Sequence, residues 1–174
     1  HFCKNNNNRF KELTKINLRA IPKNSTVLLS FGEIDCRHDE GILPTAEKLG
    51  CGLEDLVQET VTGYVNWFLT VNEANNHKYN FFNVPAPVYN HSLSQKLNWD
   101  VSLVVRLFNE ALKSALKNSS IRIIDVYNPT SNPKGFSNGF FHCDENHLDR
   151  EILTVLNKQK KSPKNDGDSG THFW

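Results

Sequence analysis

The chain has 174 residues, 38% of them hydrophobic, with 20 lysines and arginines against 19 acidic residues. That length fits one domain with a proper core and argues against two. A formal net charge of +1 gives no electrostatic reason to expect nucleic acid or an anionic membrane as a partner, and no apolar run approaches the ~20 residues of a membrane span.

A soluble chain with a small-molecule or carbohydrate partner is therefore expected; the compartment stays open, the cytoplasm slightly favoured. Cys3, Cys36, Cys51 and Cys143 are spaced widely and irregularly. They form no Cys-x-x-Cys pattern and are too sparse for a disulfide scaffold, so ordinary thiols are expected.

Asn5 to Asn8 is a polar tract that reads as loop. Phe10, Leu13, Ile16 and Leu18 are spaced partly like a helix before Pro22 ends the segment, so residues 1–22 read as an entry arm without assigned structure. The chain is organised around Ser25 to Arg37. Val27, Leu28, Leu29 and Phe31 make too short an apolar run for a helix and predict a strand buried in a covered parallel sheet. The run stops at Gly32 and delivers Glu33, Asp35 and Arg37, which places them beyond a strand's carboxyl end, where open α/β sheets bind ligands. Residues 37–52, rich in glycine and carrying Pro44, read as a long loop.

Leu53, Leu56, Val57, Val61, Tyr64, Val65, Phe68 and Leu69 then recur at intervals of three and four, the pattern of an amphipathic helix, with Glu54 and Asp55 suited to its positive end. Tyr79 to Val84 predicts a second strand stopped by Pro85 and Pro87. Trp99 to Lys117 carries a second helical stripe, and Ile121 to Tyr127 a third, β-branched strand closed by Asn128-Pro129. Residues 130–141 read as loop, Leu148 to Leu156 as a closing helix and 158–174 as a polar tail. Strands alternating with helices imply right-handed crossovers and an α/β fold with a parallel sheet, as a single domain over 1–157.

Phe31-Gly-Glu-Ile-Asp-Cys-Arg37, followed by Glu40-Gly-Ile-Leu43, resembles the third sequence block of a branch of the SGNH (GDSL-type) hydrolases. Asp144-Glu-Asn-His147-Leu148 resembles their last block, Asp-x-x-His-Leu. The two blocks stand in the family's order, and the resemblance covers roughly residues 21–157. It implies a three-layer, flavodoxin-like sheet and an acyl-transfer reaction. A serine would attack an ester carbonyl, His147 would accept its proton and Asp144 would hold the imidazole in the right tautomer. The substrate would be an acyl or acetyl ester, on a carbohydrate or a lipid, and neither cofactor nor metal is called for.

Within that resemblance Gly32, Glu33, Asp35 and Arg37 border the substrate or oxyanion region. Ile34 stands where the commoner Gly-x-Asn-Asp pattern has its oxyanion asparagine, and it cannot donate a hydrogen bond. Arg37 either substitutes electrostatically or pairs with Asp35 or Glu33; pairing is the preferred reading. The family's Gly-Asp-Ser block belongs upstream of the third block, and no such motif precedes Ser25, so the resemblance implies a sheet incomplete on its N-terminal side. Gly167-Asp168-Ser169 lies at the other end of the chain. It is either a permuted nucleophile loop or an incidental tripeptide, and with no strand before it and five residues after it the incidental reading is preferred.

Other readings stand beside these. His147 is alternatively a structural histidine bonded to a neighbouring carboxylate, or one ligand of a metal site with His142, Cys143 and Asp144. At the level of function the alternative is a non-catalytic SGNH-like module that binds a sugar or a protein. In the family's strand order 2-1-3-4-5 the three strands would be the third, fourth and fifth, leaving Val27 to Phe31 with an open edge. That edge is expected to be covered by residues 1–20, by the tail, or by a second copy in self-association.

Overall fold

Parallel strands need long crossovers, and two helices of about twenty residues supply them. The computed structural model describes residues 8–161. In chain order these form α1 (Arg9–Ala20), β1 (Thr26–Leu29), α2 (Ile42–Leu49), α3 (Leu53–Asn72), β2 (Lys78–Phe82), α4 (Gln95–Leu116), β3 (Arg122–Ile124), α5 (Tyr127–Thr130) and α6 (Ile152–Lys161). The strands lie in the order β1-β2-β3, all parallel, with Leu29 opposite Phe81 and Phe81 opposite Ile123.

Side chains alternate across the sheet, so each strand feeds two cores. Val27, Leu29, Tyr79, Phe81 and Ile123 join the larger one, where Val61, Tyr64 and Phe68 of α3 meet Val104, Phe108 and Leu112 of α4. Aromatic rings fill its centre: the Phe68 ring lies 5.1 Å from Phe31 and 5.3 Å from Tyr64, a separation typical of tilted and edge-to-face pairs. Phe82 and Ile124 face the other way and pack with Val126 against Ile152 and Leu156 of α6. Helices thus pack on both faces of a small parallel sheet, α6 against β2 and β3 alone, the α/β, flavodoxin-like arrangement that the sequence predicts.

Local chemistry departs from the sequence expectations in four places. The entry arm is helical from Arg9, because the last asparagine of the polar tract is an N-cap: the Asn8 side chain accepts from Lys11 N at 3.0 Å. The expected loop over 37–52 contains α2, with Pro44 in the first turn, where its missing N–H costs nothing. Gly50 ends α2 in the left-handed conformation, its N–H and that of Cys51 turning back to Glu47 O and Ala46 O. The third strand is shorter than expected, because the Asp125 carboxylate accepts from Tyr127 N and Asn128 N and bends the chain into α5. Finally, the closing helix starts at Ile152 rather than Leu148 and runs through Lys161, into the stretch expected to be tail.

Among the described residues no strand pairs with the outer edge of β1. The strand expected to be buried is covered on one face only: Leu28 is 53% exposed on the face away from the large core, because the second core gathers on β2 and β3. Helix α1 docks through Leu18, which joins that core, and through its Leu18 carbonyl, 3.1 Å from His77 Nε2.

Candidate functional site

The site is built from two loops at the carboxyl ends of the strands. The first leaves β1 through Gly32, whose φ of +103° is reserved for glycine; a Cβ there would lie 2.4 Å from Cζ of Phe108. The chain then passes over α4 into a single 3₁₀ turn, Ile34–Cys36, and Arg37 reaches back to Glu33. Nε and Nη2 of Arg37 each donate to a Glu33 carboxylate oxygen at 2.8 Å, a bidentate pair that raises the guanidinium's pKa further. The pairing preferred from the sequence is the one present, and Glu33 is the partner. Asp35 is half-buried, and burial raises its carboxyl above the ordinary range. Cys36 is buried outright, which pushes its thiol well up.

The second loop runs from His142 to Leu148, which face each other in an antiparallel bridge. Cys143 N donates to His147 O at 3.0 Å and Asp149 N to Phe141 O at 2.6 Å, closing the loop at its base. Asp144 organises its interior. One carboxylate oxygen accepts from both Asn146 N and His147 N at 2.7 Å, and the other lies 2.7 Å from His147 Nδ1. The Asn146 N–H first, and then the His147 side chain, hold the Asp144 carboxyl down at about 2.

An ionised carboxylate only accepts, so Nδ1 carries the hydrogen and the neutral ring has its lone pair on Nε2. Nε2 has no hydrogen-bond partner among the described residues, and no serine hydroxyl among them is bonded to His147. His147 and Asp144 are both solvent-accessible, with side-chain exposures of 73% and 54%.

An open groove of 1130 Å³ brings the two loops together. Gly32, Glu33 and Asp35 border it from the first loop and His147 from the second, over apolar walls that include Phe82 and Leu156. Arg37 does not line this groove. It faces a smaller cavity of 190 Å³, which it shares with Glu33, Cys36 and His142. Ser169, with the rest of Gly167-Asp168-Ser169, lies outside the described residues. Among the described residues, no three His, Cys, Asp or Glu side chains are placed to share a metal ion, and His142 Nδ1 points to Ser137 Oγ at 2.8 Å.

No family model matches the chain, and no curated protein does. A crystal structure of a protein from Bacteroides fragilis, provisionally described as an acylhydrolase, is similar over 88% of this chain and 99% of its own, with 13% identity and a TM-score of 0.48. At that level of likeness no chemistry transfers from one protein to the other. The site must be read from its own residues.

Two contributors escape a reading of the sequence. Asn83, just past β2, ties the sheet to the loops: its Oδ1 accepts from Val126 N at 2.7 Å and from Tyr127 N at 3.1 Å, and its Nδ2 donates to Asp125 at 2.8 Å. An asparagine before a Val-Pro turn gives no hint of that. The Ser137 and His142 contact spans five residues in no known motif, so only the folded loop makes it visible.

Proposed function

We propose that the chain is a serine-type ester hydrolase of the SGNH class, with His147 as general base and Asp144 as the group that fixes its tautomer. The observation that carries this reading is the 2.7 Å contact between Asp144 and His147 Nδ1, which leaves Nε2 as the basic nitrogen of a side chain bordering a large groove. In the reaction a serine hydroxyl gives its proton to Nε2 as its oxygen adds to the ester carbonyl, and the imidazolium returns that proton to the departing alcohol. Water then repeats the cycle on the acyl-serine. Asp144, ionised far below neutral pH, offsets the imidazolium charge. Ser169 is a candidate nucleophile only as a permuted Gly-Asp-Ser loop, the less favoured of its two readings, and Gly32, Glu33 and Asp35 bound the substrate, an acyl or acetyl ester of a carbohydrate or lipid.

One observation favours the second reading, a binding module without turnover: no serine hydroxyl among the described residues is bonded to His147. Asp144→Asn separates the two. It keeps the side chain's shape but puts an amide where the acceptor was, so kcat on a chromogenic acetyl ester is expected to fall by about 10²–10⁴-fold with KM little changed. Full turnover in that variant defeats the base assignment. No turnover by the unaltered protein leaves the binding module.

A further inference from the structure

Ser137 lies between α5 and the His142 loop and is held there by its backbone. It faces Ser131 in an antiparallel bridge, and its N–H donates to Pro87 O at 2.7 Å. Its Oγ accepts the N–H of Gly139 at 3.1 Å and stands 2.8 Å from His142 Nδ1. A serine turn explains the Gly139 contact, but such a turn does not call for an imidazole on the same oxygen. A hydroxyl within hydrogen-bond reach of an imidazole nitrogen is instead the geometry of a nucleophile and its base.

The surroundings suit that chemistry. Nothing lies within 4 Å of the position a Cβ would take on Gly139, so the space next to the residue that holds Oγ is open. On the other side, His142 but not Ser137 borders the 190 Å³ cavity, whose wall mixes Pro87, Val88 and Leu93 with Arg37 and Glu145. That volume equals roughly six waters, room for an acetyl or propionyl group rather than a long chain. Burial lowers the His142 pKa, which keeps the imidazole neutral near pH 7 with a lone pair free to take a proton.

We propose that Ser137 and His142 form a second nucleophile and base pair, one that accepts a small acyl group from an activated ester independently of the His147 site. In the Nε2–H tautomer the Ser137 hydroxyl donates to Nδ1. Attack forms the bond from Oγ to the carbonyl carbon and moves the hydroxyl proton to Nδ1. Collapse breaks the bond to the alcohol oxygen, which leaves with that proton, and acyl-Ser137 remains.

The test uses the full chain and two reagents. An alkyl fluorophosphonate should modify Ser137, forming the bond from Oγ to phosphorus, releasing fluoride and passing the proton to His142. Digestion and mass spectrometry locate the adduct, and in His142→Gln its rate of formation should fall by about 10²-fold. p-Nitrophenyl acetate should leave an acetyl group on Ser137 of the unaltered protein, a measurement that needs no variant to fold. The proposal is overturned if neither reagent modifies Ser137, or if a folded His142→Gln variant reacts at the original rate. Ester turnover that depends on His147 is a separate readout, so the two sites stand or fall apart.

Discussion

Replacing Gly32 by alanine should cost a large fraction of the protein's stability, although one methyl group is added to a loop. Two terms combine. A side chain held at φ +103° costs about 1–3 kcal/mol in backbone strain. The added Cβ would also fall 2.4 Å from Cζ and 2.5 Å from Cε1 of Phe108, which is 1% exposed at the centre of the core and has nowhere to swing. Overpacking of this kind costs about 1–3 kcal/mol, so the total is about 2–6 kcal/mol, against a typical whole-domain stability of about 5–15 kcal/mol. Urea unfolding followed by tryptophan fluorescence measures it. Phe108→Ala alone should lose about 3–5 kcal/mol, but combined with Gly32→Ala it removes the clash, so the double variant should fall short of the sum by about 1–3 kcal/mol. A loss below about 1 kcal/mol for Gly32→Ala, or strict additivity of the two changes, would refute the reasoning.

Asn83→Ala deletes the side chain that joins β2 to Asp125, Val126 and Tyr127 and should destabilise by about 1–3 kcal/mol; a midpoint unchanged in urea would show that water replaces it without loss. Asp144 has a folded-state pKa of about 2, below the ordinary aspartate value of 3.8, so its contribution to loop order is complete above pH ~4 and is lost as pH falls through ~2. Protection of the Asn146 amide, its exchange rate relative to an unstructured peptide at the same pH, should therefore fall only below pH ~4, and a loss of protection between pH 7 and 5 would contradict the assignment. The outer edge of β1, with Leu28 exposed, is proposed to pair with a second copy. Sedimentation should show a concentration-dependent dimer that Leu28→Lys weakens, whereas a monomer at every concentration would remove this proposal.

The sheet and its crossovers were legible because their signals are periodic: α3 repeats its apolar residues at three and four, and the strands are short apolar runs between glycine, asparagine and proline. What was not legible is capping. Asn8 looks like one more asparagine in a polar tract until its side chain is seen on Lys11 N, and Gly41 and Gly50 look like loop residues although they bracket α2. Helix α6 runs past its expected end because lysine and glutamine, which read as solvated tail, both have good helix propensity, and Ile152 and Leu156 anchor the first turns. In the site, contacts between near neighbours could be anticipated, such as Glu33 with Arg37 four residues apart and Asp144 with His147 three apart. Which loop faces which cavity could not, since Glu33 borders both cavities while Arg37 borders only the smaller. Nor could the serine that comes to lie against His142.

His147, oriented by Asp144, is proposed to take the proton in ester hydrolysis. Turnover of a chromogenic acetyl ester by the full chain, compared with His147→Ala at pH 7.5, tests it most directly. Hydrolysis by the unaltered protein should be measurable and should fall by about 10²–10⁴-fold in the variant. Equal rates in a folded His147→Ala protein would contradict it.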